Sequence, residues 1–104
     1  METYSQEKIE KRKEILEATV RVHGELDGSQ ACRVNDEVKK LRNLGARKII
    51  VDLRGVSSFT LFGIGMLKSF LPDLEREKEE IWIGGLEEKF KLLFKRFGYP
   101  RIDS

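Results

Sequence analysis

The run Lys48-Ile49-Ile50-Val51-Asp52-Leu53 constrains this chain most. Its three consecutive β-branched residues lose rotamer freedom in a helix and pack well on a pleated surface. Apolarity on both sides of so short a run predicts a central strand, covered on both faces or lying in a parallel sheet. Parallel neighbours need crossover connections, usually helices. The flanking sequence should therefore alternate between strand and helix.

It does. In Thr19–His23, Val20 and Val22 point one way and Thr19, Arg21 and His23 the other, the pattern of a half-buried strand. After Gly24-Glu25-Leu26-Asp27-Gly28, Ser29 is placed to cap a helix carrying Ala31, Val34, Val38 and Leu41 at three- and four-residue spacing. Gly45 sits where such a helix stops. A turn is predicted over Arg54–Ser58, leading to a second helix near Leu61. Ile81-Trp82-Ile83 reads as a short buried strand with Trp82 in the core, closed by Gly84-Gly85. The last helix, near Glu87–Phe97, lines up Leu86, Phe90, Leu93, Phe94 and Phe97. Its Glu87 and Glu88 at the start and Lys95 and Arg96 at the end match the helix dipole. Gly98 ends it, and Arg101-Ile102 fits a small edge strand. Within Gln6–Leu16 the Glu, Lys and Arg content favours a helix, but Ile9, Ile15 and Leu16 make a poor stripe; an edge strand over Lys8–Lys13 is the rival. The order (β)β-α-β-α-β-α-(β) defines an α/β sandwich. A single domain over 1–104 accounts for it, with 1–17 the least defined part.

Charge narrows the function. Charged residues make up 37% of the chain, yet they nearly cancel to +2. They are interleaved, as in Glu7–Glu14 and Glu75–Glu80, rather than gathered into the basic stripe of a nucleic-acid binder. The cluster Lys39, Lys40, Arg42, Arg47 and Lys48 solvates a helix end, so no nucleic-acid partner is expected. No apolar run approaches the roughly 20 residues that span a bilayer, and no h-region follows the charged N-terminus. Membrane insertion is not expected, and a cytoplasmic location is. Abundant Lys and Glu with only two Asn and two Gln match a thermophile's composition. Cys32 is the one cysteine and His23 the one histidine, too few for a disulfide or a zinc set without carboxylates. Cys32 is expected as a packed or half-buried thiol. No metal or other cofactor is implied.

Order and spacing then carry a resemblance. Val51-Asp52-Leu53-Arg54-Gly55-Val56-Ser57, followed by Gly63-Ile64-Gly65-Met66-Leu67, is similar to the signature of STAS domains, which typically read V-D-L-S-G-V and then D-S-S-G-L-G opening a helix. Gly24-Glu25-Leu26-Asp27 resembles the family's G-x-L-D, and Phe97-Gly98 its final helix end. The resemblance runs from about Ala18 to Ile102. It implies a mixed sheet with helices packed against it, an initial edge strand over Lys8–Lys13, and no catalysis. It also implies an anti-sigma factor antagonist that binds an anti-sigma factor of the GHKL serine-kinase type. In many such proteins the kinase phosphorylates the first Ser of D-S-S-G. Here Thr60-Leu61-Phe62-Gly63 fills that motif, with Leu61 at the acceptor position. Leu61 has no hydroxyl.

The resemblance places partner binding at Ser57, Ser58, Thr60, Leu61, Phe62, Gly63 and Met66. Ser57, Ser58 and Thr60 are expected in the loop before the helix. Thr60 and Ser58 are candidate substitute phospho-acceptors; the competing account has Thr60 capping the helix and the serines satisfying a turn. Asp27 corresponds to the family acid near the phosphorylation site, and Asp52 ends the central strand where it would bond loop N–H groups. At 100° per residue, Ile64, Met66, Leu67, Phe70, Leu71 and Leu74 share one arc, with Gly63 near its middle. Leu61 falls opposite, beside Gly65, Lys68 and Pro72, and Phe62 falls at the edge. Both either present an apolar partner surface or fold back under the preceding loop. Two other functions compete. One is a constitutive STAS subunit of a stress-signalling or lipid-transport complex. The other is a phosphocarrier using His23 or Cys32, neither of which lies on an obvious phosphate loop.

Overall fold

The structure is a computed structural model and describes residues 17–103. Strand β1 (Glu17–Leu26), helix α1 (Gly28–Asn43), strand β2 (Lys48–Phe59), helix α2 (Leu61–Leu74), strand β3 (Glu80–Gly84) and helix α3 (Glu88–Arg96) follow one another. The strands lie in the order β1-β2-β3 with both pairings parallel. The Lys48–Leu53 run is therefore the centre of a parallel sheet. Ile102 adds a single parallel bridge to Ile83. The edge strand over Lys8–Lys13, and the rival helix over Gln6–Leu16, lie outside the described residues.

Consecutive strands that are also neighbours, joined by crossovers of one hand, leave both crossover helices on the same face. Burial follows that logic. Ala18, Val20, Val22, Ile49, Val51, Leu53, Ile81 and Ile83 point into the core, where Ala31, Val34, Val38 and Leu41 of α1 and Ile64, Leu67, Leu71 and Leu74 of α2 meet them. The alternate residues Thr19, Arg21, His23, Lys48, Ile50, Asp52, Glu80 and Trp82 are half-buried or exposed. Of the two settings that suit so apolar a strand, the described residues thus supply the parallel neighbours and a helical cover on one face.

Four local expectations need correction. Trp82 is half-buried rather than in the core, because its position in β3 points away from the helices; its Nε1 donates to Glu80 at 3.0 Å and Lys48 Nζ stands 5.2 Å over the ring. Asp27, not Ser29, caps α1, accepting a 2.9 Å bond from Gln30 N. A helix starting at Gly28 leaves Ser29 already inside its first turn. Cys32 is exposed, since α1 buries the 31–34–38–41 stripe and position 32 lies off it. Finally, the residues from Arg54 to Phe59 are strand, not turn. Two register shifts, between Arg21 and His23 and between Gly24 and Glu25, let β2 keep pairing with β1 as far as Leu26↔Phe59.

The C-terminal segment is laced to this frame. Tyr99 Oη donates to Ile64 O at 2.6 Å, and its ring lies tilted against Phe94 with centroids 4.7 Å apart; Phe94 in turn meets Phe59 edge-on. Burial raises the Tyr99 phenol above its ordinary pKa. Glu75, at the end of α2, accepts from Ile81 N at 2.8 Å and from Arg101 at 2.6 Å. Pro72, exposed within α2, donates no helical hydrogen bond. Arg42 of α1 reaches the carbonyls of Asp73 and Leu74 at the helix end.

Candidate functional site

Because β1 and β2 are parallel and end in register at Leu26 and Phe59, the next residue of each strand opens a helix. Asp27 caps α1 and Thr60 caps α2, so the two helix starts lie side by side. Thr60 N donates to Leu26 O at 3.1 Å, tying the second cap to the first strand's end. Its Oγ1 accepts from Gly63 N at 2.9 Å and donates to Leu26 O at 3.4 Å. Both sides of the Thr60 hydroxyl are thus engaged, and the capping account of this residue holds.

Gly63 explains how α2 can start so close. A Cβ there would run into Leu26 O and come within 2.8 Å of Asp27 Cα. These are backbone atoms, which cannot swing aside. The sequence pattern expected a close approach to the sheet; the partner is the β1–α1 junction.

With the first turn of α2 fixed, Leu61 and Phe62 stand 66% and 70% exposed. They do not fold under the preceding residues. Those residues continue β2, so no loop covers them. The Phe62 ring lies against the first residue of α1: a Cβ on Gly28 would be 2.8 Å from Phe62 Cε2 and 3.4 Å from Met66 Sδ. Phe62, Gly28 and half-buried Met66 form one continuous apolar surface across both helix starts. Sequence periodicity gives no access to this cross-helix contact.

Ser57 and Ser58 are exposed residues of β2, not of a loop. Ser57 Oγ donates to Gly24 O and Ser58 Oγ to the Glu25 carboxylate, each at 3.3 Å. Asp52 lies further back on β2 and accepts from Arg54 N at 3.0 Å. It sits away from the helix starts, whereas Asp27 is part of them. His23 is exposed on β1 and Cys32 on α1. Among the described residues no group of three or more His, Cys, Asp or Glu side chains is arranged to hold a metal ion. No described helix is long and apolar enough to cross a membrane.

Comparison with known proteins decides the family. The STAS domain model matches residues 7–103. The chain belongs to the STAS family. Anti-sigma-B factor antagonists of Staphylococcus aureus, strains NCTC 8325 and COL among them, are 30% identical over 79 residues, covering 76% of this chain and 73% of theirs. The solved structure of the anti-sigma factor antagonist SpoIIAA in its unphosphorylated form superimposes with a TM-score of 0.64 at 16% identity, covering 89% of this chain and 84% of that one. That likeness establishes the shared α/β fold. At the level of family and fold, this STAS domain is of the anti-sigma factor antagonist kind.

Proposed function

We propose that this STAS domain is a cytoplasmic regulator that binds an anti-sigma factor of the serine-kinase type. It docks through the end of β2 and the start of α2, around Ser57–Met66, and performs no catalysis. The observation that carries the reading is the exposed pair Leu61–Phe62, held outward on a capped, closely packed helix start. Exposed aromatic and aliphatic side chains on a rigid element lose little conformational freedom on binding and supply interface anchors. The relatives named as anti-sigma-B factor antagonists support the class of partner.

The site differs from the usual switch. A phosphate added to this surface would put about two negative charges into the interface. Leu61 offers no hydroxyl, Thr60 uses its own in the cap, and Ser58 faces the Glu25 carboxylate. Binding is therefore not turned off by phosphate at the usual position. The same absence favours a second reading, a constitutive STAS subunit of a stress-signalling or lipid-transport complex. Neighbouring kinase and sigma genes support the first reading, and neighbouring transporter genes the second.

The direct test mixes the protein with the anti-sigma factors of its own genome and follows co-elution. The wild type is expected to elute with one of them, and Phe62→Asp to elute alone while keeping its circular dichroism spectrum. Failure of the wild type to pair with any of them counts against the proposal.

A further inference from the structure

The face of the sheet turned away from the described helices carries a second feature, sharing no residue with the Leu61–Phe62 surface. A cavity of about 260 Å³ is lined by Arg21, Val22, His23, Asp52, Arg54 and Gly55. Its polar side chains come from matching positions of β1 and β2 that point away from the helices. The register shift between Arg21 and His23 spreads them, since a bulge bends its strand and re-aims the side chains beside it.

Two glycines make the room. A Cβ at Gly55 would be 2.5 Å from His23 Nδ1, so the imidazole occupies space that only a glycine leaves. Gly85, at φ +78°, brings the turn after β3 against Asp52 and the backbone N–H of Arg54. The Asp52 carboxylate is already engaged. One oxygen accepts from Arg54 N at 3.0 Å, and the other faces Arg21 Nε at 4.0 Å with the side chain only 17% exposed. It orders the strand backbone and leaves Arg21, 75% exposed, at the edge of ion-pair reach. Two guanidiniums against one carboxylate leave the lining with a net positive charge.

We propose that Arg21, His23 and Arg54 form a binding site for a phosphate-type anion, either inorganic phosphate or a small phosphate monoester. Guanidiniums match phosphate oxygens with paired N–H donors, and the imidazole adds a further donor from the adjacent strand. No bond is made or broken. The anion bridges β1 and β2 at their irregular pairing.

Backbone amide NMR during titration with inorganic phosphate tests this, with sodium chloride at matched ionic strength as the control. Saturable shifts confined to Arg21–Gly24, Arg54–Gly55 and Gly85 are expected with phosphate and not with chloride. The exposed double variant Arg21→Gln, Arg54→Gln should keep the dispersed spectrum of the fold and weaken phosphate binding at least tenfold. Phenyl phosphate distinguishes the two sources: saturation at the same amides assigns the site to monoesters, and its exclusion with phosphate still bound assigns it to the free anion. Equal, non-saturating shifts with chloride and phosphate overturn the proposal, as does saturation that the double variant leaves unchanged.

Discussion

The Phe62 ring of α2 rests on Gly28, the first residue of α1, so closely that Gly28 has no room for a methyl group unless the ring moves. One exposed aromatic therefore depends on the identity of a residue in a different helix. Phe62 is held by its neighbour as well as by its own rotamer.

Gly28→Ala separates posture from presence. The added methyl meets the far end of a side chain, so global stability should change by less than about 1 kcal/mol in chemical denaturation. The ring must swing, however, and partner capture should weaken severalfold with Phe62 intact. Phe62→Ala should weaken it tenfold or more, about 1.4 kcal/mol. Equal affinity for all three proteins in isothermal titration would remove Phe62 from the interface.

Gly63 and Gly65 sit two residues apart in the same helix and should respond in opposite ways. Gly63→Ala drives its methyl into the Leu26–Asp27 backbone and should cost about 1–3 kcal/mol. Gly65→Ala meets only the Phe97 ring edge at 3.4 Å, and the helix preference for Ala should leave stability unchanged or raise it by up to about 1 kcal/mol. Urea midpoints of the two variants, bracketing the wild type, are the measurement.

Thr60→Ala removes the acceptor for Gly63 N and the donor to Leu26 O, and should cost about 1 kcal/mol. Thr60→Ser keeps both bonds and should lie within a few tenths of the wild type. Equal losses in urea denaturation would show that the methyl group, not the hydroxyl, is what α2 needs.

Leu61→Ser restores the hydroxyl that the family motif carries. With a kinase-type partner and ATP, intact mass should show one phosphate on Leu61→Ser and none on the wild type.

Alkaline pH probes Tyr99. Burial raises its pKa in the folded state, while the unfolded phenol titrates near about 10. Above that value the unfolded chain binds fewer protons, so stability falls with rising pH until the folded phenol also titrates. Its contribution is complete below about pH 10 and is lost above it. Tyr99→Phe should flatten this slope, and at neutral pH should cost about 1 kcal/mol for the lost bond to Ile64 O.

Period and punctuation made most of the scaffold legible in the sequence. The Val20–Val22 alternation and the 31–34–38–41 stripe each specify a buried face, and the Ile49–Leu53 run specifies a central strand. Trp82 and the Arg54–Ser58 stretch depart from the sequence expectation because strand length and facing are decided across the sheet. Arg54–Ser58 has turn-like residues, yet the two β1–β2 register shifts keep it paired as far as Phe59. The cap of α1 is Asp27 rather than Ser29, since β1 runs on to Leu26 and leaves Asp27 the first unpaired position. The outward direction of Leu61 followed from the helical wheel. The Phe62–Gly28 contact did not, because no single-helix pattern encodes which glycine of another helix lies beneath a ring.

The exposed thiol of Cys32 lies one helical turn beyond Gly28, off the stripe that α1 buries. A chain with one cysteine takes one maleimide dye, at one known place. Arrival of a protein over the adjoining helix starts would alter that dye's emission or shield the thiol from alkylation. The molecule carries its own attachment point for watching whatever binds it.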